Sequence, residues 1–225
     1  MSTPTLLTGR DPRSEWALLL LSAASGAADA FVFICVGQVF AGVMTGNLVL
    51  LGASAAGVGE HGVALRVITA LVSYGFGVMC GAWMSERLRW PLPVMLLIEV
   101  ALLAAAAVLW ALDLITSDGE RLELLVLIAV AMGIQGRIRA TPTNYFTGTL
   151  TSLVSRVTLR SRNQGDGWVA GRLIAVVAGA AVTALAVRFW PGAAATVAVA
   201  PAVGALLIES VPRRRSRGST APTTG

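Results

Sequence analysis

Residues 16–36 read WALLLLSAASGAADAFVFICV, an apolar run from Trp16 to Val36 interrupted by a single charge, Asp29. About 20 apolar residues are enough for a helix to cross roughly 30 Å of hydrocarbon, so this stretch predicts a membrane span. A carboxylate in the middle of a span costs several kcal/mol if it is ionised and faces lipid. Asp29 must therefore face protein or water, pair with a cation, or hold a proton. Gly26 lies one turn before it, and Ser22 and Ser25 share that side at helical spacing. Small residues in these positions let a second helix approach closely. Asp29 reads either as a structural hydrogen bond between helices or as an ion, proton or substrate site.

The rest of the chain has the same character. Hydrophobic residues make up 56% and charged residues 13%, with mean hydropathy +0.75. Soluble domains carry about 25% charged residues. The fold class expected is an all-α membrane protein, a polytopic helical bundle. The short alternating segments of a β-barrel are absent. All 17 basic residues are Arg, giving a net charge of +5. They gather at the ends of apolar runs and in the tail Arg213-Arg214-Arg215-Ser216-Arg217, as the positive-inside rule requires. The tail reads as a topology anchor, or as a contact for anionic lipid or a partner; nucleic acid is not an expected partner. Cys35 and Cys80 both lie in apolar sequence, and the single histidine, His61, stands beside Glu60. No metal site, disulfide or cofactor is expected from them. The first apolar run is too long for a cleaved signal peptide and is expected to be retained.

One polar pattern occurs twice. Gly26 and Asp29 are followed by Met44-Thr45-Gly46-Asn47, then Arg66, then Leu96-Leu97-Ile98-Glu99. Gly133 and Gln135 are followed by Phe146-Thr147-Gly148-Thr149, then Arg172, then Leu206-Leu207-Ile208-Glu209. The order is the same and the spacing nearly constant. The chain divides accordingly into residues 1–15, a tail; 16–112, a first membrane repeat; 113–123, an acidic linker; 124–210, a second repeat; and 211–225, an Arg-rich tail expected to be disordered. Six full spans plus two short Thr-Gly segments, broken or re-entrant, place most arginines on one side; eight spans are the alternative.

The two Thr-Gly segments are the second functional clue. Thr and Asn side chains bond to nearby backbone and can cap an interrupted helix, and Gly permits the backbone such an interruption needs. Irregular backbone at membrane depth is tolerated only where it lines a cavity or is buried in protein. Thr45, Gly46, Asn47, Thr147, Gly148 and Thr149 therefore join Asp29 and Gly26 as candidate substrate- or ion-binding residues. Glu99, well inside its span, is added as either a functional carboxyl or half of a structural ion pair. Gln135 and Asn144 supply uncharged hydrogen-bonding groups near the breaks. Catalysis is not expected: there is no nucleophile–base pair, metal-ligand spacing or phosphate-cradling loop.

The run Ser25-Gly26-Ala27-Ala28-Asp29-Ala30, then Val39-Phe40 and Met44-Thr45-Gly46-Asn47, resembles the YoaK family of bacterial membrane proteins, known by a domain of unknown function. Ala131-Met132-Gly133-Ile134-Gln135 and Phe146-Thr147-Gly148-Thr149-Leu150-Thr151 are similar to that family's second signature, with Gly136-Arg137 as a departure. The resemblance implies a multi-pass protein of the bacterial cytoplasmic membrane. It implies no substrate and no catalytic residue.

The function expected from the duplicated polar positions is that of a small secondary transporter or permease. An unknown small molecule or ion would bind at the repeat interface, and one half would rock against the other. Both termini would be cytoplasmic, and with about six spans a homodimer is a candidate working unit. The alternative is a non-transporting scaffold, sensor or partner subunit, in which the polar residues hold helices together.

Overall fold

The computed structural model describes residues 12–58, 62–138, 146–159 and 165–211, and every regular element among them is helical. Residues 1–11 and the Arg-rich tail from Pro212 onward lie outside the described residues. The helices are α1 (Pro12–Phe31), α2 (Met44–Ala55), α3 (Val63–Glu86), α4 (Leu92–Ala111), α5 (Asp118–Arg137), α6 (Phe146–Thr158), α7 (Asp166–Phe189) and α8 (Thr196–Ser210). α1 continues into a π-helical turn, Val32–Gly37, and a 3-10 turn, Pro191–Ala193, precedes α8.

Local chemistry sets several boundaries. The π turn ends where Gly37 and Gln38 adopt φ values of 152° and 59°. A side chain at Gly37 would also have its Cβ 2.5 Å from Arg66 Cδ, so the position suits only glycine. α4 starts directly after the extended Pro91. α5 begins at Asp118, inside the acidic stretch expected as linker, because Ser117 and Glu120 form a capping box. Ser117 Oγ accepts from the Glu120 N–H at 3.3 Å, and Glu120 Oε2 accepts from the Ser117 N–H at 2.7 Å. The amide of Ser117, then that of Thr116, holds the exposed Glu120 carboxyl well below its ordinary range, at about 2.

Among the described residues, five elements are long and apolar enough to cross a membrane: Pro12–Gly37, Val63–Glu86, Leu92–Ala111, Asp166–Phe189 and Pro191–Ser210. α5 is 20 residues long, like α4, but its ends carry Asp118, Glu120, Arg121, Glu123 and Arg137. Between them, residues such as Leu124, Leu125, Ile128 and Met132 are buried. α2 and α6 have 12 and 13 residues. At 1.5 Å per residue they rise roughly 18–20 Å, short of the roughly 30 Å of a bilayer core.

The long helices form two groups of three. α1 lies along α7 and α8; α5 lies along α3 and α4; α4 packs on α8 as extensively as on α5, and there the groups meet. α2 rests on α3, and α6 on α7. Each group has a glycine crossing. A Cβ at Gly26 would collide with the Val176 carbonyl, and one at Gly179 with the Ala23 carbonyl, so α1 and α7 meet backbone to backbone. Gly77 and Gly133 do the same for α3 and α5, against the carbonyls of Val130 and Tyr74. Each crossing is accompanied by an ion pair: Glu15 with Arg172 across α1 and α7, and Asp118 with Arg66 at 3.9 Å across α5 and α3.

Two hydrophobic clusters run through the bundle. The larger includes Ala27, Phe31, Val67, Leu103, Leu124 and Ala198; the smaller includes Ala17, Leu21, Leu96, Ile134 and Ala205. Apolar side chains also line the outside: Leu65, Ile68, Val72, Phe76, Met79 and Trp83 form an exposed stripe down α3. An exposed apolar surface of this length suits lipid and not water. The helices and this surface together describe a membrane-embedded protein.

Candidate functional site

The irregular segment after α1 is held by two buried side chains. Gly42 N–H donates to Asp29 Oδ1 at 2.7 Å, and the amides of Ala41 and Val43 also interact with that carboxyl. Asn47, fully buried in the first turns of α2, accepts from the Phe40 N–H at 2.9 Å and donates to the Phe40 carbonyl at 2.7 Å. Buried backbone groups need partners, and here an interrupted stretch obtains them from side chains in place of a helix ladder. Phe40 stacks on Phe33 of the π turn with ring centroids 5.1 Å apart. Asp29 and Asn47 thus share one loop, residues 38–43, whose Val39 and Ala41 are buried.

The other sequence-predicted residues distribute as follows. Gly26 faces α7 at the glycine crossing. Thr45 is exposed, and Gly46 lies against the Phe40 ring. Gln135 is buried and donates from Nε2 to the Leu21 carbonyl of α1 at 2.8 Å, linking the two helix groups. Its Oε1 has no hydrogen-bond partner. Glu99 is fully buried, and neither carboxyl oxygen has a hydrogen-bond partner. In α6, Gly148 has open space around it and Thr149 is half-buried. Asn144 and the side chain of Thr147 lie outside the described residues. Both Thr-Gly motifs open a short helix, but α2 packs on α3 and α6 on α7, so the two starts sit on different helix groups.

Two buried polar groups have little sequence signal. Glu15 is 5% exposed and pairs with Arg172; an acid one residue before a predicted span reads as part of the tail. Thr183, in the middle of α7, is fully buried with an unpartnered hydroxyl. The lone threonine in an apolar run carries no pattern that would single it out. Among the described residues no group of three or more His, Cys, Asp or Glu side chains is placed to hold a metal. What the arrangement offers chemically is a carboxyl in a nest of backbone amides, an amide pinning two helix groups, and a second carboxyl in apolar surroundings.

Residues 17–208 match the model of a family described as protein of unknown function (DUF1275). The chain belongs to that family. No curated protein matches it, and no solved structure does. The DUF1275 match takes in both helix groups, the Asp29–Asn47 loop and Glu99.

Proposed function

We propose that this chain is a small secondary transporter or permease; its likeness to the YoaK family implies the place, the bacterial cytoplasmic membrane, and the duplicated polar positions suggest the function. It has six spans, α5 being the sixth, and both termini are cytoplasmic. It is built from two sequence-related halves that exchange their first helices. The observation that carries this reading is the matched pair of joints. α1 meets α7 through Gly26, Gly179 and the Glu15–Arg172 pair. α5 meets α3 through Gly133, Gly77 and the Asp118–Arg66 pair. Gly26 with Gly133, and Arg66 with Arg172, are the repeated positions of the sequence. Duplicated units with polar groups between them are the architecture of many secondary transporters, and the argument is one of architecture.

In this reading the moving bodies are the two mixed groups, α1–α7–α8 and α3–α4–α5, and not the two sequence halves. A small molecule or ion enters between them, near Asp29, Gln135 and Glu99, and no enzymatic step, cofactor or nucleic acid is involved. A homodimer is the proposed working unit.

A second reading, a non-transporting scaffold or sensor, is favoured by one observation: Asp29 and Asn47 are both committed to the loop at 38–43. A thermal-shift screen of purified protein against metabolites and ions, with Asp29→Asn alongside, separates the two. A ligand at about 100 times its Kd adds roughly 2.7 kcal/mol to the folded state. The transport reading expects a compound that stabilises wild type and is weakened in a folded Asp29→Asn. No stabilising compound, with the variant merely less stable, favours the scaffold.

A further inference from the structure

Glu99 is the one titratable residue of α4. It stands between the two hydrophobic clusters, with Leu96 of the smaller one turn before it and Leu103 of the larger one turn after. It is seven residues from the start of the helix and twelve from its end, about 10 Å and 18 Å along the axis. The elements packed on α4 keep their charges at their ends. α5 carries Asp118, Glu120, Arg121 and Glu123 in its first turns and Arg137, paired with Glu86, in its last. α8 carries Glu209 in its last turn, and the Pro191–Ala193 turn has no titratable group. α1, which shares the smaller cluster, has Arg13 and Glu15 in its first turn, Glu15 paired with Arg172, and Asp29 bound by Gly42. None of these is bonded to Glu99.

An isolated carboxylate in such a place is far too costly to persist; it neutralises instead. We propose that Glu99 is a proton-binding site, loaded as a neutral carboxylic acid while α4 is packed against α5 and α8 and discharged to water when that packing opens. On opening, a water molecule accepts the proton from the Glu99 oxygen, leaving a hydrated carboxylate and a hydronium ion. Closing requires the reverse, because the carboxylate has no donor or cation to meet inside. A metal cation is a poorer occupant than a proton, since it needs several oxygen ligands at once. Where the proton binds follows from this geometry; what it drives rests on the transport reading above, for which it would be the coupling ion.

The test uses the full chain reconstituted in lipid vesicles and dicyclohexylcarbodiimide, an apolar reagent that adds to protonated carboxyls. Adducts are located by peptide mass spectrometry across a pH series, with Glu99→Gln as the blank for assignment. Glu99 is expected to take the adduct near neutral pH and to lose it as the pH rises, while exposed Glu86 stays unmodified near neutral pH. No adduct on Glu99 at any pH, or a yield that does not change with pH, overturns the proposal. Labelling of Glu99 that follows pH, in a protein that no compound stabilises in the ligand screen, upholds the proton site and removes the transport reading alone.

Discussion

Asn47 holds both backbone polar groups of Phe40 with one side-chain amide. Asn47→Leu leaves the part-buried N–H and carbonyl of Phe40 unpaired, at up to about 1–3 kcal/mol each. Unfolding in detergent is expected to show a loss of roughly 2–6 kcal/mol, against a smaller loss for Asp29→Asn, whose amide oxygen still accepts from Gly42. A wild-type melting curve for Asn47→Leu would mean that the loop does not depend on this clamp. Glu120 makes a prediction about pH. Its folded pKa is depressed to about 2 by hydrogen bonds from Ser117 and Thr116. The stability it contributes is therefore complete above the ordinary glutamate range and is lost as pH falls from that range through about 2. Glu120→Gln should flatten that part of the acid-unfolding profile; an unchanged slope counts against the capping box. At this scale the sequence marked Asp29 as unusual because a charge in a span is costly. It could not say that the partner is a loop amide thirteen residues on, since any donor in three dimensions would satisfy the same carboxyl.

Two kinds of glycine are distinguished by what surrounds them. Gly26, Gly77, Gly133 and Gly179 sit where a Cβ would strike the backbone of another helix, whereas Gly148 in α6 has nothing within 4 Å. Gly148→Ala is expected to stabilise by about 0.5–1 kcal/mol through helix propensity. Gly26→Val or Gly133→Val should force its crossing apart and lower the recovery of folded protein. Size-exclusion recovery of the three variants checks this: equal recovery would mean that the crossings tolerate separation. The long apolar runs were legible as helices from hydropathy and length; the Thr-Gly motifs, expected as breaks, lie inside the short helices α2 and α6, and the irregular backbone seen is the loop 38–43 before α2. The start of α5 was not, because Asp118, Glu120 and Glu123 look like linker until the capping box is seen to turn them into a helix N-terminus. Hydropathy reads solubility along the chain and is blind to which glycine meets which helix.

For the whole molecule, neither sequence half contains a complete three-helix group. Fragments 1–115 and 116–225, produced together, should therefore co-purify as a complex, and each produced alone should be recovered poorly. An independently folded first fragment that ignores the second would contradict the exchange. Nothing in a linear pattern specifies that α1 belongs with α7 and α8. The partners lie far along the chain, and only the recurrence of Gly26 with Gly133 and Arg66 with Arg172 hinted at two equivalent joints. The exchange also has a consequence in time. Glu15 finds Arg172 across 157 positions of chain. Chains grow at about 5–20 residues per second, so the start of the first helix is made roughly 8–30 seconds before its partner. Over that interval α1 depends on the insertion machinery or on the lipid headgroups to shelter its acidic start.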